Sequence, residues 1–251
     1  MEDKCTNSTR LIRDPEIATF VHAASGQRFS ADVNLLCHYS PFFSSALKGP
    51  FQESTSKIVE IHDTEDWVLE TFHHWLYFRE VCWCPESSDE QENEKSAEQE
   101  GEEENQSWSQ CELVQLCCFA DQYDVPGFFE EALRKLCDRL NNRTGVEADA
   151  ILFAQDHLVD TSPIMRMLAQ AFLSFGLGPE DEKEDIKFLR KLKPVFLALV
   201  VQRVLDRRKQ IKRKTEGVAS GPKIDIDKFL AAVHRARRND SDADEQAMEG
   251  A

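Results

Sequence analysis

Phe29 to Lys48, FSADVNLLCHYSPFFSSALK, reads as the end of a strand followed by two short helices set tip to tip. Ser40-Pro41 punctuates it. A serine side chain caps the orphan amides of a first turn, and a proline at the next position has no amide to satisfy and a φ already suited to a helix. Behind that start, Phe42, Phe43, Ala46 and Leu47 recur at helical spacing, and Leu35, Leu36 and Cys37 form the apolar side of the preceding helix. Both helices need a partner.

Working outward, Ile17–His22 (IATFVH) is rich in β-branched and aromatic residues, Ser25-Gly26 turns the chain, and Gln27 to Ala31 returns, which predicts a hairpin. After the two helices, Gly49-Pro50 breaks the pattern and Lys57 to Ile61 (KIVEI) alternates as a strand. Asp63 to Asp66 offers cap residues for a helix with Val68, Leu69, Phe72, Trp75 and Leu76 on its buried face. The predicted order is ββααβα. Val81 to Trp83 reads as one more short strand.

The net charge of −16 is unevenly spread. Between Glu86 and Glu104 ten acidic residues face only Lys95, so this stretch carries more than half of it. Glu86 to Gln106 has no aliphatic residue larger than Ala97, so it cannot bury enough apolar surface to offset the entropy of ordering. It reads as a disordered insertion. With little basic surface, direct nucleic-acid binding is not expected.

Helical spacing resumes with Leu113, Leu116, Cys117 and Ala120, and again with Phe129, Leu133, Leu136 and Leu140 after Pro126. These predict a helical hairpin. Thr144 and Glu147 have capping-box spacing ahead of Ile151, Leu152, Ala154 and Leu158. Ser162-Pro163 repeats the serine-proline start before the stripe Ile164, Met167, Leu168, Ala171, Phe172 and Phe175, which ends at Gly176 and Gly178. A longer helix runs from Glu184 to Lys214, kinked or split at Pro194. Beyond Glu216 the chain is polar except for Ile224, Ile226, Phe229, Leu230 and Val233.

Several of these pieces together resemble the BTB/POZ domain in its fungal form. They are Phe29 with Leu35 to Cys37 (LLC), Ser40 to Phe43 (SPFF), Gly49 to Glu53 (GPFQE), Trp75 to Tyr77 (WLY) and Phe119 to Pro126 (FADQYDVP). SPIMRMLAQAF, which opens at Ser162, is similar to the helices that follow that domain in fungal members. The resemblance implies an α+β fold, a small sheet with clustered helices, followed by an all-α extension. Where the family has Val-His-Lys before its LLC helix, this chain has Ala31, Asp32 and Val33, which removes a basic site. The acidic insertion falls in or near a region that the family uses against partners. The expected organisation is a flexible N-terminus over 1–15, the BTB-like domain over 16–140 with its insertion at about 86–106, a helical extension over 141–214, and a mostly disordered tail over 215–251.

No GxSxG, P-loop, GxGxxG or HExxH arrangement occurs, so no catalytic, cofactor or metal residue is nominated and an enzyme is disfavoured. Cys82 and Cys84 with Cys111, Cys117 and Cys118 suggest zinc only without the CxxC pair that such sites use, and core or surface thiols account for them better. The eight cysteines mostly sit within apolar helical patterns, as in a reducing compartment. His73 and His74 diverge by about 100° on a helix, so they do not share a metal, and at most one faces the core. Phe42, Phe43, Phe72 and Trp75 read as core ahead of interface.

Arg207, Arg208, Lys209, Lys212, Arg213 and Lys214 fit a nuclear import signal, and fit slightly better a helix C-terminus whose cations complement the macrodipole. The acidic insertion folding back over this run is a further expectation, weak and salt-dependent. No apolar run is long enough to span a bilayer, so a soluble, intracellular protein, cytoplasmic or nuclear or both, is expected. The resemblance implies self-association into a homodimer, binding of partner proteins, and a role as substrate adaptor on a cullin scaffold for ubiquitin transfer. The alternative is a nuclear transcription or chromatin co-regulator that uses the basic run for import.

Overall fold

The computed structural model describes residues 16–82, 108–142, 145–176 and 188–206, and the backbone of 207–213. The chain divides into two compact units, the first taking residues up to Trp108 together with Gln115–Glu131, the second Ser109–Val114 and everything from Ala132 onward. It is a mixed α+β protein with a small sheet and many helices.

In the first unit the hairpin forms as β1 (Ile17–His22) and β2 (Arg28–Asp32), antiparallel with Phe20 opposite Phe29. β3 (Ile58–Ile61) pairs parallel to β1 on its other side, so the sheet order is β2-β1-β3. A parallel partner cannot be reached by a tight turn. The crossing is made by α1 (Val33–Tyr39), α2 (Pro41–Lys48) and α3 (Gln52–Ser56), after which α4 (Asp66–Phe78) follows β3. α3 is absent from the expected ββααβα order. Its five residues QESTS bury nothing, so no apolar period announces it.

Alternation settles which strand face is inside: Ala18 and Phe20, Phe29 and Ala31, and Val59 and Ile61 are buried. Phe20 stacks on Phe29 at 5.3 Å and tilts onto Phe72 at 5.8 Å. Phe72 in turn stacks on Phe43 at 5.9 Å and meets Phe119 at 5.1 Å and Phe128 at 5.7 Å. This ring cluster is the core of the unit. All five residues expected on the buried face of α4 are buried.

Of the cap candidates Asp63 to Asp66, Glu65 takes the N-cap position of α4, but its side chain makes no capping bond, and Asp63 sits at φ +55°. The strand expected after α4 is corrected. Val81 and Cys82 form no strand. Val81 instead donates its amide to the Glu131 carboxylate at 2.6 Å. Asp32, which stands where the resemblance calls for a basic residue, N-caps α1 by accepting from the amides of Asn34 (2.8 Å) and Leu35 (3.0 Å).

The helical hairpin forms as α5 (Gln110–Gln122) and α6 (Pro126–Asn141), and parts of both belong to each unit. The second unit adds α7 (Ala148–His157), α8 (Pro163–Phe175) and α9 (Pro194–Arg213). Ser162 caps α8 with Pro163 in the first turn, and Gly176 ends it at φ +77°. Pro194 does split the long helix: residues 188–191 are helical, 192–193 are not, and α9 begins at the proline. At the break Lys193 donates its amide to Gln155 Oε1 (2.7 Å) and its ammonium to the Gln155 carbonyl (2.9 Å), holding the split against the end of α7.

The capping box expected at Thr144 and Glu147 is not what Glu147 does. Its carboxylate makes no bond to α7. It accepts instead from the amides of Gln110 (2.8 Å) and Cys111 (3.2 Å) at the start of α5. Gln110 reciprocates, accepting from the Glu147 amide (3.0 Å) and donating to the Gly145 carbonyl (2.8 Å). A reciprocal box is present elsewhere, at Ser109 and Glu112, with bonds of 2.8 and 3.1 Å. Residues 1–14, Glu86–Gln106, Thr144 and 215–251 lie outside the described residues.

Candidate functional site

Ser40 is fully buried and serves three roles at once. Its amide closes α1 on the Leu36 carbonyl at 3.0 Å, its Oγ accepts from the Phe43 amide at the start of α2 at 3.0 Å, and its hydroxyl donates to the Tyr123 carbonyl at 2.7 Å. The last bond joins SPFF to FADQY across 83 positions of sequence. Phe43 stacks on the Tyr123 ring at 6.2 Å, and Phe42 meets it edge-on at 5.0 Å. Phe43, Phe72 and Trp75 are core, as expected. Phe42 departs from that expectation and is 37% exposed.

The C-terminal half of α4 carries an aromatic surface. His73 meets Tyr77 edge-on at 5.3 Å and His74 stacks on Phe78 at 4.5 Å, both pairs four residues apart and so on neighbouring positions of one helix. Tyr77 is 50% exposed and Phe78 69%. His73 also touches the sheet, meeting Phe29 at 5.7 Å and bonding the Ser30 carbonyl at 3.0 Å, while His74 bonds the Glu80 carbonyl at 3.3 Å. The two imidazoles thus diverge.

Directly beyond, Arg79 terminates α4 at φ +60° and lays its guanidinium over the rings of Trp75 (3.5 Å) and Tyr39 (3.7 Å). Partial burial pulls this guanidinium below its ordinary range, while Tyr39 and Glu131 oppose the shift. Glu131 accepts from the Trp75 indole at 2.9 Å and from the Val81 amide at 2.6 Å. Gly127 completes the cluster because a Cβ there stands 3.1 Å from both Arg79 Nη2 and Trp75. Together these residues fix the chain where it leaves α4. The sequence reading names neither Arg79 nor Glu131, and a lone arginine after an aromatic run is the only local signal.

One Ser-His-Asp grouping arises that no sequence spacing announces. Ser25 Oγ lies 2.8 Å from His22 Nδ1 and donates to Asp66 Oδ1 at 2.6 Å, and His22 Nδ1 also contacts Asp66. His22 Nε2 lies 2.8 Å from the Thr64 carbonyl, which only accepts, so that nitrogen carries a hydrogen. In a nucleophilic relay the serine and the carboxylate engage opposite nitrogens of the imidazole. Here both meet the same one. What the grouping does is tie the β1–β2 turn to the start of α4.

Of the cysteines weighed for zinc, Cys84 lies outside the described residues, and among the described residues no group of three or more His, Cys, Asp or Glu is arranged around a metal position. Cys137 is buried and donates to Met167 Sδ at 3.3 Å. The backbone of Arg207, Arg208, Lys209, Lys212 and Arg213 forms the last turns of α9, and Lys214 lies outside the described residues. Among the described residues no helix is long and apolar enough to cross a membrane. No protein-family model matches the chain, and no curated protein matches it.

Proposed function

We propose that this chain is a protein-interaction module of BTB/POZ type that self-associates and holds partner proteins, including a cullin scaffold for which it acts as substrate adaptor. The observation that carries the reading is the α4 aromatic surface. Tyr77 and Phe78 expose large rings at the end of α4, each packed on a histidine one turn back, and the next residue is an arginine held flat on two further rings. Tyrosine and arginine are enriched where interface energy concentrates, and a rigid aromatic loses little conformational entropy on docking. The BTB type is supported by the Ser40–Tyr123 bond, because it joins two of the segments on which the resemblance rests.

Light scattering after gel filtration, over a hundred-fold range of protein concentration and with and without a purified cullin N-terminal domain, tests the proposal. A dimer or a cullin complex is expected, weakened at least ten-fold by Tyr77→Ser with Phe78→Ser. A monomer at every concentration that also ignores the cullin overturns it.

A further inference from the structure

On α9, Phe196 is fully buried and packs on Phe172 of α8 at 6.2 Å. Leu197, Val201 and Leu205 form a separate row at i, i+4 and i+8, exposed by 42%, 55% and 49%. Such spacing places all three along one line of the helix surface, about 12 Å long at 1.5 Å per residue. A lone exposed leucine needs no explanation, whereas three in register form an apolar face that is unpartnered among the described residues.

We propose that this row is covered by the chain's own segment Ile224–Val233, returning antiparallel along α9. Ile226, Phe229, Leu230 and Val233 stand at i, i+3, i+4 and i+7, the pattern of one apolar helix face about 10 Å long, which matches the row in length. Residues 214–223 (KTEGVASGPK) link the two, with Gly217, Gly221 and Pro222 suited to a reversal. Ten residues reach about 30 Å extended, and the return from Arg213 to Leu205 needs only about 12 Å. An antiparallel return also sets Asp225 and Asp227 beside the end of α9 whose sequence holds Arg208, Lys209 and Lys212.

A second copy fits the row less well. A stable interface needs about 800 Å² from each partner, and even a wholly buried aromatic contributes only about 150–250 Å², so three half-exposed aliphatic side chains fall short. A tethered segment needs less contact, because a short linker holds it at roughly millimolar effective concentration.

Hydrogen–deuterium exchange of the full chain, read on a peptide spanning 224–233 at two protein concentrations ten-fold apart, tests the proposal. The expected result is exchange at least ten-fold slower than in a synthetic peptide of the same sequence, equal at both concentrations, and restored to the synthetic peptide's rate by Val201→Asp. Val201 is exposed, so circular dichroism of that variant is expected to match the unmodified chain. Phe229→Asp supplies the same loss from the other side. Exchange at the synthetic peptide's rate in the unmodified chain overturns the proposal. So does protection that survives both substitutions, which places the segment on another surface. Protection that grows with concentration alongside a doubled mass overturns it in favour of a second copy.

Discussion

Arg79 lies with its guanidinium carbon 3.5 Å from the centroid of the Trp75 ring, and Gly127 is the position that leaves room for the pair. In most helices Gly→Ala gains about 0.5–1 kcal/mol. Here the added Cβ stands 3.1 Å from Arg79 Nη2 and from Trp75, closer than side chains ordinarily approach. Gly127→Ala is therefore expected to destabilise the protein by about 1 kcal/mol. Arg79→Ala alone should cost about 0.5–1 kcal/mol, since the cation is exposed at its edge. The double variant should lose less than the sum, because the arginine is one of the groups the methyl meets. Urea denaturation of all four proteins gives the coupling, and strict additivity would remove Arg79 from the account.

Ser40→Ala removes the cap of α2 and strands the Tyr123 carbonyl in one step. A lost cap costs about 1 kcal/mol and a buried unsatisfied carbonyl about 1–3 kcal/mol. The expected loss of about 2–4 kcal/mol should exceed that of Ser162→Ala, where among the described residues the hydroxyl makes only its capping bond at 3.3 Å. Thermal melts of the two variants side by side check the ranking.

Glu147→Ala should act on α5 rather than on the helix it precedes. Two amides at the start of α5 lose their acceptor, for an expected cost of about 1–3 kcal/mol. Hydrogen exchange should quicken at Gln110 and Cys111 and stay unchanged through α7. Faster exchange confined to α7 would restore the local capping role that the spacing suggested.

Cys137 has its thiol pushed up to about 12 by burial, with Asp138 adding to the shift. In the unfolded chain the same thiol ionises near 9, so above that pH the unfolded state releases a proton that the native state keeps. The stabilising preference is complete below pH 9 and is lost as pH rises from there toward 12, by at most about 1.4 kcal/mol per unit. Comparing denaturation of Cys137→Ala with the unmodified protein at pH 8 and pH 10 isolates it: the variant should show the shallower decline. Under native conditions the buried Cys137 should also react with a maleimide more slowly than the half-buried Cys37, since only the thiolate attacks.

Local physical chemistry decided much of this protein from its sequence. The serine-proline starts at Ser40 and Ser162, the buried stripes of α4 and α8, the glycine stop at Gly176 and the break at Pro194 all depend on groups within one or two turns of one another. Helical period and cap chemistry report such groups directly. The three-stranded sheet's parallel pairing, the aromatic surface at Tyr77 and Phe78, and the cluster around Arg79 were decided only by tertiary structure. Glu131 finds Trp75 56 positions away, Glu147 finds Gln110 37 away, and Asp66 finds Ser25 41 away. A carboxylate satisfies whichever donors folding brings to it. In a linear reading Asp66 and Glu147 therefore look like caps of the helices they adjoin, and only the folded chain shows that each holds a different element.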